Sequence, residues 1–241
     1  MNNALLLPLI SSFSTLIGVI PIYLNIKRVE LITSFSLSLS MSVMLIISLF
    51  DLIPSSVPSI INNFSSLYGI IISILVFILG YLTIYLIEKR IKNNSSLYKI
   101  GIISFIALIL HNLPEGIIVY ISTYKSLKLG FKMFLSIMLH NIPEGIEIAI
   151  PLYYSNINKN RVVVLTLISG FSEFFGSLIT HLFLKNYINE VLISFIILFT
   201  SGLMISLSIN NIYKELKKYK NTPKYIGVLI GILLSLIVHL F

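Results

Sequence analysis

The chain alternates between long apolar runs and short polar or charged breaks. Eight runs are long enough to cross a bilayer, because a hydrocarbon core of about 30 Å needs about 20 helical residues. They lie at residues 4–24, 31–53, 66–87, 99–123, 130–154, 162–184, 189–212 and 223–241. Since the runs are continuous rather than alternating, they predict membrane-spanning helices and not strands. No Lys or Arg precedes the first run, so we expect a membrane helix there and not a cleaved signal peptide.

Composition agrees with this reading and excludes several other classes of protein. The 241 residues are 56% hydrophobic and only 11% charged, and the mean hydropathy is +0.98. A soluble globular domain or a disordered chain is therefore not expected. The absence of cysteine rules out thiolate metal sites, thiol catalysis and a disulfide framework. The sequence predicts an all-α integral membrane protein whose partner is the lipid bilayer.

The basic residues predict how the helices are oriented. Short loops rich in Lys and Arg stay in the cytoplasm, and 13 of the 17 basic residues lie at the first, third, fifth and seventh loops. These are Lys27, Arg28, Lys89, Arg90, Lys92, Lys99, Lys159, Arg161, Lys214, Lys217, Lys218, Lys220 and Lys224. We therefore expect both termini outside, a single domain over residues 1–241 in the cell membrane, and no nucleic-acid binding despite the net charge of +8.

A repeated hexapeptide is the strongest chemical signal in the sequence. The pattern His-Asn-aliphatic-Pro-Glu-Gly occurs at residues 111–116 and again at 140–145, near the middle of the fourth and fifth runs. Carboxylates in the middle of a membrane are costly, so a functional site is the default hypothesis. Because consecutive spans are antiparallel, the two copies can face each other at the same depth.

The spacing within the motif favours metal binding. His111 and Glu115 lie about 40° apart on one helical face, as do His140 and Glu144. The proline between them frees a backbone carbonyl, and the following glycine allows close approach of another helix. Imidazole and carboxylate ligands without sulfur suit Zn, Fe(II), Mn or Co, and two glutamates could bridge a pair of ions. A hydrogen-bonded lock between the helices is the alternative, although it would not require Asn, Pro and Gly to be repeated.

Three further acidic residues lie within or beside apolar runs. Glu173 belongs to a stripe of small polar residues in the sixth run, and we expect it to bind a metal or a proton rather than only to pack. Glu147 is one turn beyond Glu144 and either passes an ion on or modulates its neighbour. Asp51, expected at the outer end of the second helix, either attracts cations or is a solvated helix-end carboxylate.

Two histidines lie outside the motifs. His181 is expected near the outer end of the sixth span and His239 near the outer end of the eighth. Single histidines at such positions usually pack or reach toward the interface, so His181 is only an accessory candidate. The alternating serines of residues 34–42 do not share one helical face, and we interpret them as small residues for helix packing.

With these motifs the chain resembles the ZIP (Zrt/Irt-like) family of divalent metal transporters, most closely its bacterial ZupT-like and GufA-like branches. The resemblance rests on eight spans, the two H-N-x-P-E-G motifs and the S-G-x-x-E-x-x-G pattern at residues 169–176. It implies a 3+2+3 arrangement, with the first three and last three helices as inverted repeats around the central pair. It also implies a binuclear metal site and elevator-like alternating access.

The resemblance also assigns residues to the two metal positions. The first would use His111, Glu115, His140 and Glu144, and the second would use Asn112, Asn141 and Glu173 with Glu115 and Glu144 shared. This sequence departs from the family pattern at three places: Glu147 where a small residue is common, Phe174 where proline is common, and Asn210-Asn211 in place of an acidic residue. The departures bear on metal preference and on the exit route.

Uptake of a divalent transition metal is therefore the leading hypothesis. Zn is the first candidate, with Fe, Mn, Co and Cd also considered; the metal is cargo, and no prosthetic group or enzymatic activity is expected. An intramembrane metalloenzyme is a weaker alternative, because neither HExxH nor a di-iron E-x-x-H spacing is present. A metal-gated channel or sensor is the third, and saturation of flux would distinguish it. Whether the protein forms a homodimer is left open.

Overall fold

Eight helices of membrane length are present in a computed structural model that describes residues 3–24, 28–92, 95–184 and 186–239. In chain order α1 to α8 are Ala4–Tyr23, Val29–Asn63, Ser66–Arg90, Ser96–Lys125, Leu127–Tyr154, Lys159–Leu184, Glu190–Leu216 and Thr222–His239. The predicted all-helical fold is confirmed for the described residues. Lys27 and Lys185 of the charge pattern, and the last two residues of the predicted eighth span, lie outside them.

The second helix is longer than predicted. Its predicted end at residue 53 was wrong, because α2 continues through Pro54 and Pro58 to Asn63. A π-helical segment, Ser48–Leu52, ends two residues before the first of these prolines. We attribute the continuation to this wider turn, which leaves room for a proline ring that would clash in a regular α-helix. Asp51 consequently lies in a π-helical turn within the helix and not at its end.

Helix α7 repeats this irregularity. It changes from α-helix to a π-helical segment at Leu207–Ile212 and ends with the short turn Tyr213–Leu216. In the helix contacts, α2 packs along α8 and α3 packs along α7. An inverted repeat that exchanges α1 with α6, α2 with α7 and α3 with α8 exchanges these two contacts as well. The shared π segments and the paired contacts agree with the 3+2+3 arrangement.

The remaining helices form a second group in which α4 packs between α5 and α6, and α1 contacts α5 and α6. Two motif glycines bring their backbones together. A side chain on Gly116 of α4 would collide with the carbonyl oxygen of Glu173 on α6, and one on Gly145 of α5 would collide with the carbonyl of Thr15 on α1. The predicted close approach of helix backbones therefore occurs twice, once between α4 and α6 and once between α5 and α1.

The serine series of α2 packs as predicted. Ser34, Ser36, Ser38, Ser40 and Ser42 are all buried, although a period of two cannot place them on one face. They are buried because α2 lies between α8 and α5. Gly227 and Gly231 of α8 approach Ser38 and Ser42, and the Ser40 hydroxyl donates to the carbonyl of Pro143 on α5 at 2.6 Å.

Candidate metal centre

The two hexapeptides meet in the middle of α4 and α5. His111, Glu115, His140 and Glu144 are each at most 6% exposed. The Nε2 atom of His111 lies 3.1 Å from Glu115 Oε1 and 3.0 Å from Glu144 Oε1, and His140 Nε2 lies 2.8 Å from Glu115 Oε1. The structure therefore brings all four candidate ligands of the first metal position into one cluster.

Several atoms of this cluster have no hydrogen-bond partner among the described residues. They include Oε2 of Glu144, Oε2 of Glu115 and the Nδ1 atoms of His111 and His140. A buried polar group without a partner costs about 1–3 kcal/mol, and more when it is charged. If the cluster only joined the helices by hydrogen bonds, these atoms would have hydrogen-bond partners. A bound cation would instead interact with the carboxylate oxygens. The unpaired oxygens thus favour an ion-binding cluster over a lock.

The donor geometry suits a divalent ion. One ligand atom each from His111, His140 and Glu144 can be chosen so that all lie within 4.8 Å of one another. In a tetrahedral Zn site the metal lies about 2.0–2.2 Å from its nitrogen and oxygen ligands. Any two ligand atoms of such a site are therefore less than 4.8 Å apart, as these three are. Nitrogen and oxygen donors without sulfur fit the borderline divalent ions.

A second set of donors lies beside the cluster, where α6 meets α4 and α5. Asn141 Nδ2 donates to Glu173 Oε2 at 2.9 Å, and Asn112 Nδ2 donates to the carbonyl of Ser169 at 3.0 Å. These bonds leave Oδ1 of both asparagines and Oε1 of Glu173 buried and without a partner among the described residues. Three oxygen acceptors of α4, α5 and α6 therefore remain available to a cation.

Glu147 is fully buried on α5, about one helical turn beyond Glu144. Its Oε1 atom accepts a hydrogen bond of 2.6 Å from the hydroxyl of Ser104 on α4, whereas Oε2 has no partner among the described residues. Ser104 precedes His111 by seven residues, about two helical turns, so both lie on one face of α4. The carboxylate is thus held in place by one oxygen with the other unpaired.

A cavity of about 420 Å³ extends from the cluster to the ends of the helices. Its lining includes His111, Glu115 and His140 at the buried end, and Asp51 with His239 at the other. Asp51 and His239 pair through Oδ1 and Nδ1, and the His239 side chain is 63% exposed. Apolar side chains supply most of the remaining wall.

The sequence interpretation missed the partnership of Asp51 with His239. The two residues are 188 positions apart, and the sequence indicates only that His239 packs or reaches toward the interface. The available signal was that both lie toward the predicted outer ends of their helices. His181 lies elsewhere: its Nδ1 atom is 2.8 Å from the hydroxyl of Tyr120 on α4, and it is not among the residues that line the cavity.

The fold and this cluster together define a multi-pass membrane protein with a buried group of His and Glu side chains that could hold a metal ion. Comparison with known families identifies it further: the family described as "ZIP Zinc transporter" matches residues 91–239. The chain belongs to the ZIP family. This confirms the predicted family, and together with the eight apolar helices it confirms the predicted location in the cell membrane.

Several curated relatives carry the name zinc transporter ZupT. The protein from Enterobacter sp. (strain 638) is 30% identical, over 96% of this chain and 93% of the relative. The protein from Oceanobacillus iheyensis is 38% identical and that from Clostridium perfringens is 31% identical. These last two matches cover 51% and 52% of this chain, and they span about half of the relatives' own length, 46% and 44%.

Proposed function

We propose that the chain carries a divalent transition-metal ion across the membrane, with Zn as the first candidate and Fe, Mn, Co and Cd as further ones. The observation that carries this proposal is the buried cluster of His111, Glu115, His140 and Glu144 with its unpaired carboxylate oxygens. The family and the names of the relatives support the same cargo.

The site binds two ions in this proposal. The first lies among the four motif side chains, and the second lies among Asn112, Asn141 and Glu173. Glu115 and Glu144 contribute to both, because each has an oxygen without a partner among the residues that the structure describes. The hydrogen bonds from the asparagine amides to α6 support this assignment, since they hold the amide nitrogens away and leave the Oδ1 atoms as ligands.

The packing around the site supports access from one side at a time. The cavity joins the cluster to the exposed His239, at the end that the basic residues predict to be outside. Toward the other end, an apolar cluster that contains Leu108, Ile148 and Leu152 closes the space between α4 and α5. We infer that this is an outward-facing arrangement, and that α1, α4, α5 and α6 move as a group to expose the site inward.

The path then has three stages. Asp51 with His239 attracts the cation at the mouth, the motif side chains bind it, and Glu147 receives it on the inner side. The unpaired Oε2 atom of Glu147 supports this last role, because a buried carboxylate oxygen with no donor favours a cation nearby. Glu147 also replaces the small residue that the family pattern carries at this position, so it is a candidate determinant of metal preference.

Uptake into proteoliposomes tests the proposal. We expect saturable Zn uptake by the wild type and loss of at least 90% of the initial rate, on the order of tenfold, in Glu115→Ala and His140→Ala. Glu190→Ala is the matched control, because Glu190 is an exposed carboxylate and its side chain is 81% exposed. Equal uptake by all four proteins, or none by any, would contradict the assignment. Non-saturating flux would instead indicate a channel.

A further inference from the structure

A second polar cavity, of about 170 Å³, lies at the opposite end of the helices from Asp51 and His239. It is formed where α3 ends, α4 begins and α7 ends. Its lining includes the lysines Lys99, Lys214 and Lys218 and the amides Asn210 and Asn211. None of these side chains belongs to the proposed metal path.

The lining also includes Glu215, a buried carboxylate that already has partners. Its Oε2 atom accepts from Lys218 Nζ at 2.6 Å and from the Ser96 hydroxyl, and its Oε1 accepts from the Tyr219 hydroxyl at 3.3 Å. Burial and the neighbouring carboxylate raise the pKa of Tyr219 to about 12, so this phenol keeps its proton and donates. Glu215 is therefore not free to bind a metal cation.

Glu88, the other carboxylate of the cavity, is shared by two lysines. Its Oε1 atom lies 3.6 Å from Lys99 Nζ and 3.8 Å from Lys214 Nζ. Both separations exceed a hydrogen bond, so the ammonium groups keep N–H donors for another acceptor. With three lysines against two glutamates, the lining carries one excess positive charge.

Asn211 indicates which class of ligand this cavity would bind. The residue is 6% exposed, and its Nδ2 atom is buried with no acceptor among the described residues. An unpaired buried amide donor is unfavourable, and a cation could not satisfy it because a cation accepts no hydrogen bond. An anion oxygen in the cavity would accept from Asn211 and from the lysines together.

We propose that this cavity binds an oxyanion of the phosphate class. Its volume is that of roughly five or six liquid water molecules, which accommodates one phosphate group. The cavity lies at the membrane end of the helices that the positive charges predict to be cytoplasmic, where free inorganic phosphate and the phosphates of anionic lipids are both accessible. Either source supplies the same chemistry to Asn211 and the lysines.

The bound anion also links the two helix groups, and this step rests on the proposed function. Lys99 belongs to α4, which moves with the metal site, whereas Lys214 belongs to α7. An anion held between them stabilises the present arrangement, because a ligand favours the state to which it binds better. Occupancy of the cavity therefore slows the inward transition and lowers the rate of metal uptake.

Thermal unfolding of the detergent-purified protein tests binding without requiring transport. Sodium phosphate is compared with sodium chloride at equal ionic strength in wild type, Lys214→Ala, Asn211→Asp and the control Lys217→Ala. Lys217 has the same charge on the same helix end but contacts the ring of Tyr213 and is not among the cavity residues. We expect phosphate to raise the unfolding midpoint of wild type and Lys217→Ala, and Lys214→Ala and Asn211→Asp to need about tenfold more phosphate or more.

Native mass spectrometry separates the two sources of phosphate. The protein is extracted from membranes containing phosphatidylglycerol and phosphatidylcholine, and the retained lipid is counted. Phosphatidylglycerol kept by wild type and Lys217→Ala but lost by Lys214→Ala assigns the lipid headgroup; a response to inorganic phosphate alone assigns the free ion. No specific response in either experiment, or equal responses of Lys214→Ala and Lys217→Ala, overturns the oxyanion site. A protein that binds phosphate but carries no metal would instead overturn the proposed function.

Discussion

Asn141 on α5 donates a hydrogen bond of 2.9 Å to Glu173 on α6, and both side chains are completely buried. This bond joins the second hexapeptide to the glutamate of the helix that packs on the first one. It fixes the Asn141 amide so that its nitrogen points to α6 and its oxygen has no partner in the part of the chain that the structure describes. The bond therefore orients both side chains and leaves each with one oxygen that has no partner among the described residues.

Glu173→Gln should separate this structural role from metal binding. The glutamine retains an acceptor for Asn141 but loses the charge that a second cation needs. We expect a folded protein whose Zn content falls from two ions to one per chain, measured by elemental analysis after equilibration with Zn. Glu190→Gln, which removes an exposed carboxylate, should keep both ions. Unchanged Zn content in Glu173→Gln would remove this residue from the ligand set.

The two motif glycines are required for helix packing. We expect Gly116→Ala and Gly145→Ala each to destabilise the protein by about 1–3 kcal/mol or more, because the new methyl group meets a backbone carbonyl that cannot rotate away. Thermal unfolding in detergent, with folded yield as a second readout, measures the effect. Leu75→Ala is the control, since Leu75 is 61% exposed on α3. A control as unstable as the glycine variants would contradict the argument.

Sequence patterns predict the helices and the faces of α4 and α5 that carry the two hexapeptides, because both features depend on residues close together in the chain. Continuous apolar runs predict all eight helices, and the four-residue spacing of His and Glu places their side chains on one face. The extension of α2 could not be predicted in this way, since proline normally signals a helix end and the π segment before Pro54 has no comparable local signature.

These patterns also could not predict contacts between distant parts of the chain. The pairing of Asp51 with His239 depends on α2 and α8 lying side by side, and the burial of Glu215 depends on Ser96 and Tyr219 surrounding it. Glu215 follows a lysine and precedes two more, so its sequence is that of a solvated loop. Only the fold reveals that its carboxylate is enclosed.

Glu147→Ala should affect release more than binding. The carboxylate lies beyond the cluster and contacts Ser104 rather than the histidines. We expect equilibrium Zn binding within about twofold of the wild type and an initial uptake rate reduced by roughly three- to tenfold, with a changed order of preference among Zn, Mn and Cd. Uptake competition in proteoliposomes, alongside equilibrium binding, measures both. Ser104→Ala should produce a smaller change in the same direction; unaltered rate and selectivity in Glu147→Ala would exclude it from the path.

Asp51→Asn should weaken capture of the ion at low concentration. Asp51 lines the mouth of the cavity with His239 and is separate from the buried cluster, so the variant loses attraction for the cation but not its binding site. We expect the KM for Zn uptake to rise by about three- to tenfold while the maximal rate stays within about twofold, because saturating Zn compensates for weaker capture. Initial rates over a range of Zn concentrations provide the measurement, with His181→Ala as the control because His181 contacts Tyr120 instead of the cavity. A lower maximal rate with unchanged KM would place Asp51 in the transport step and contradict its role at the mouth.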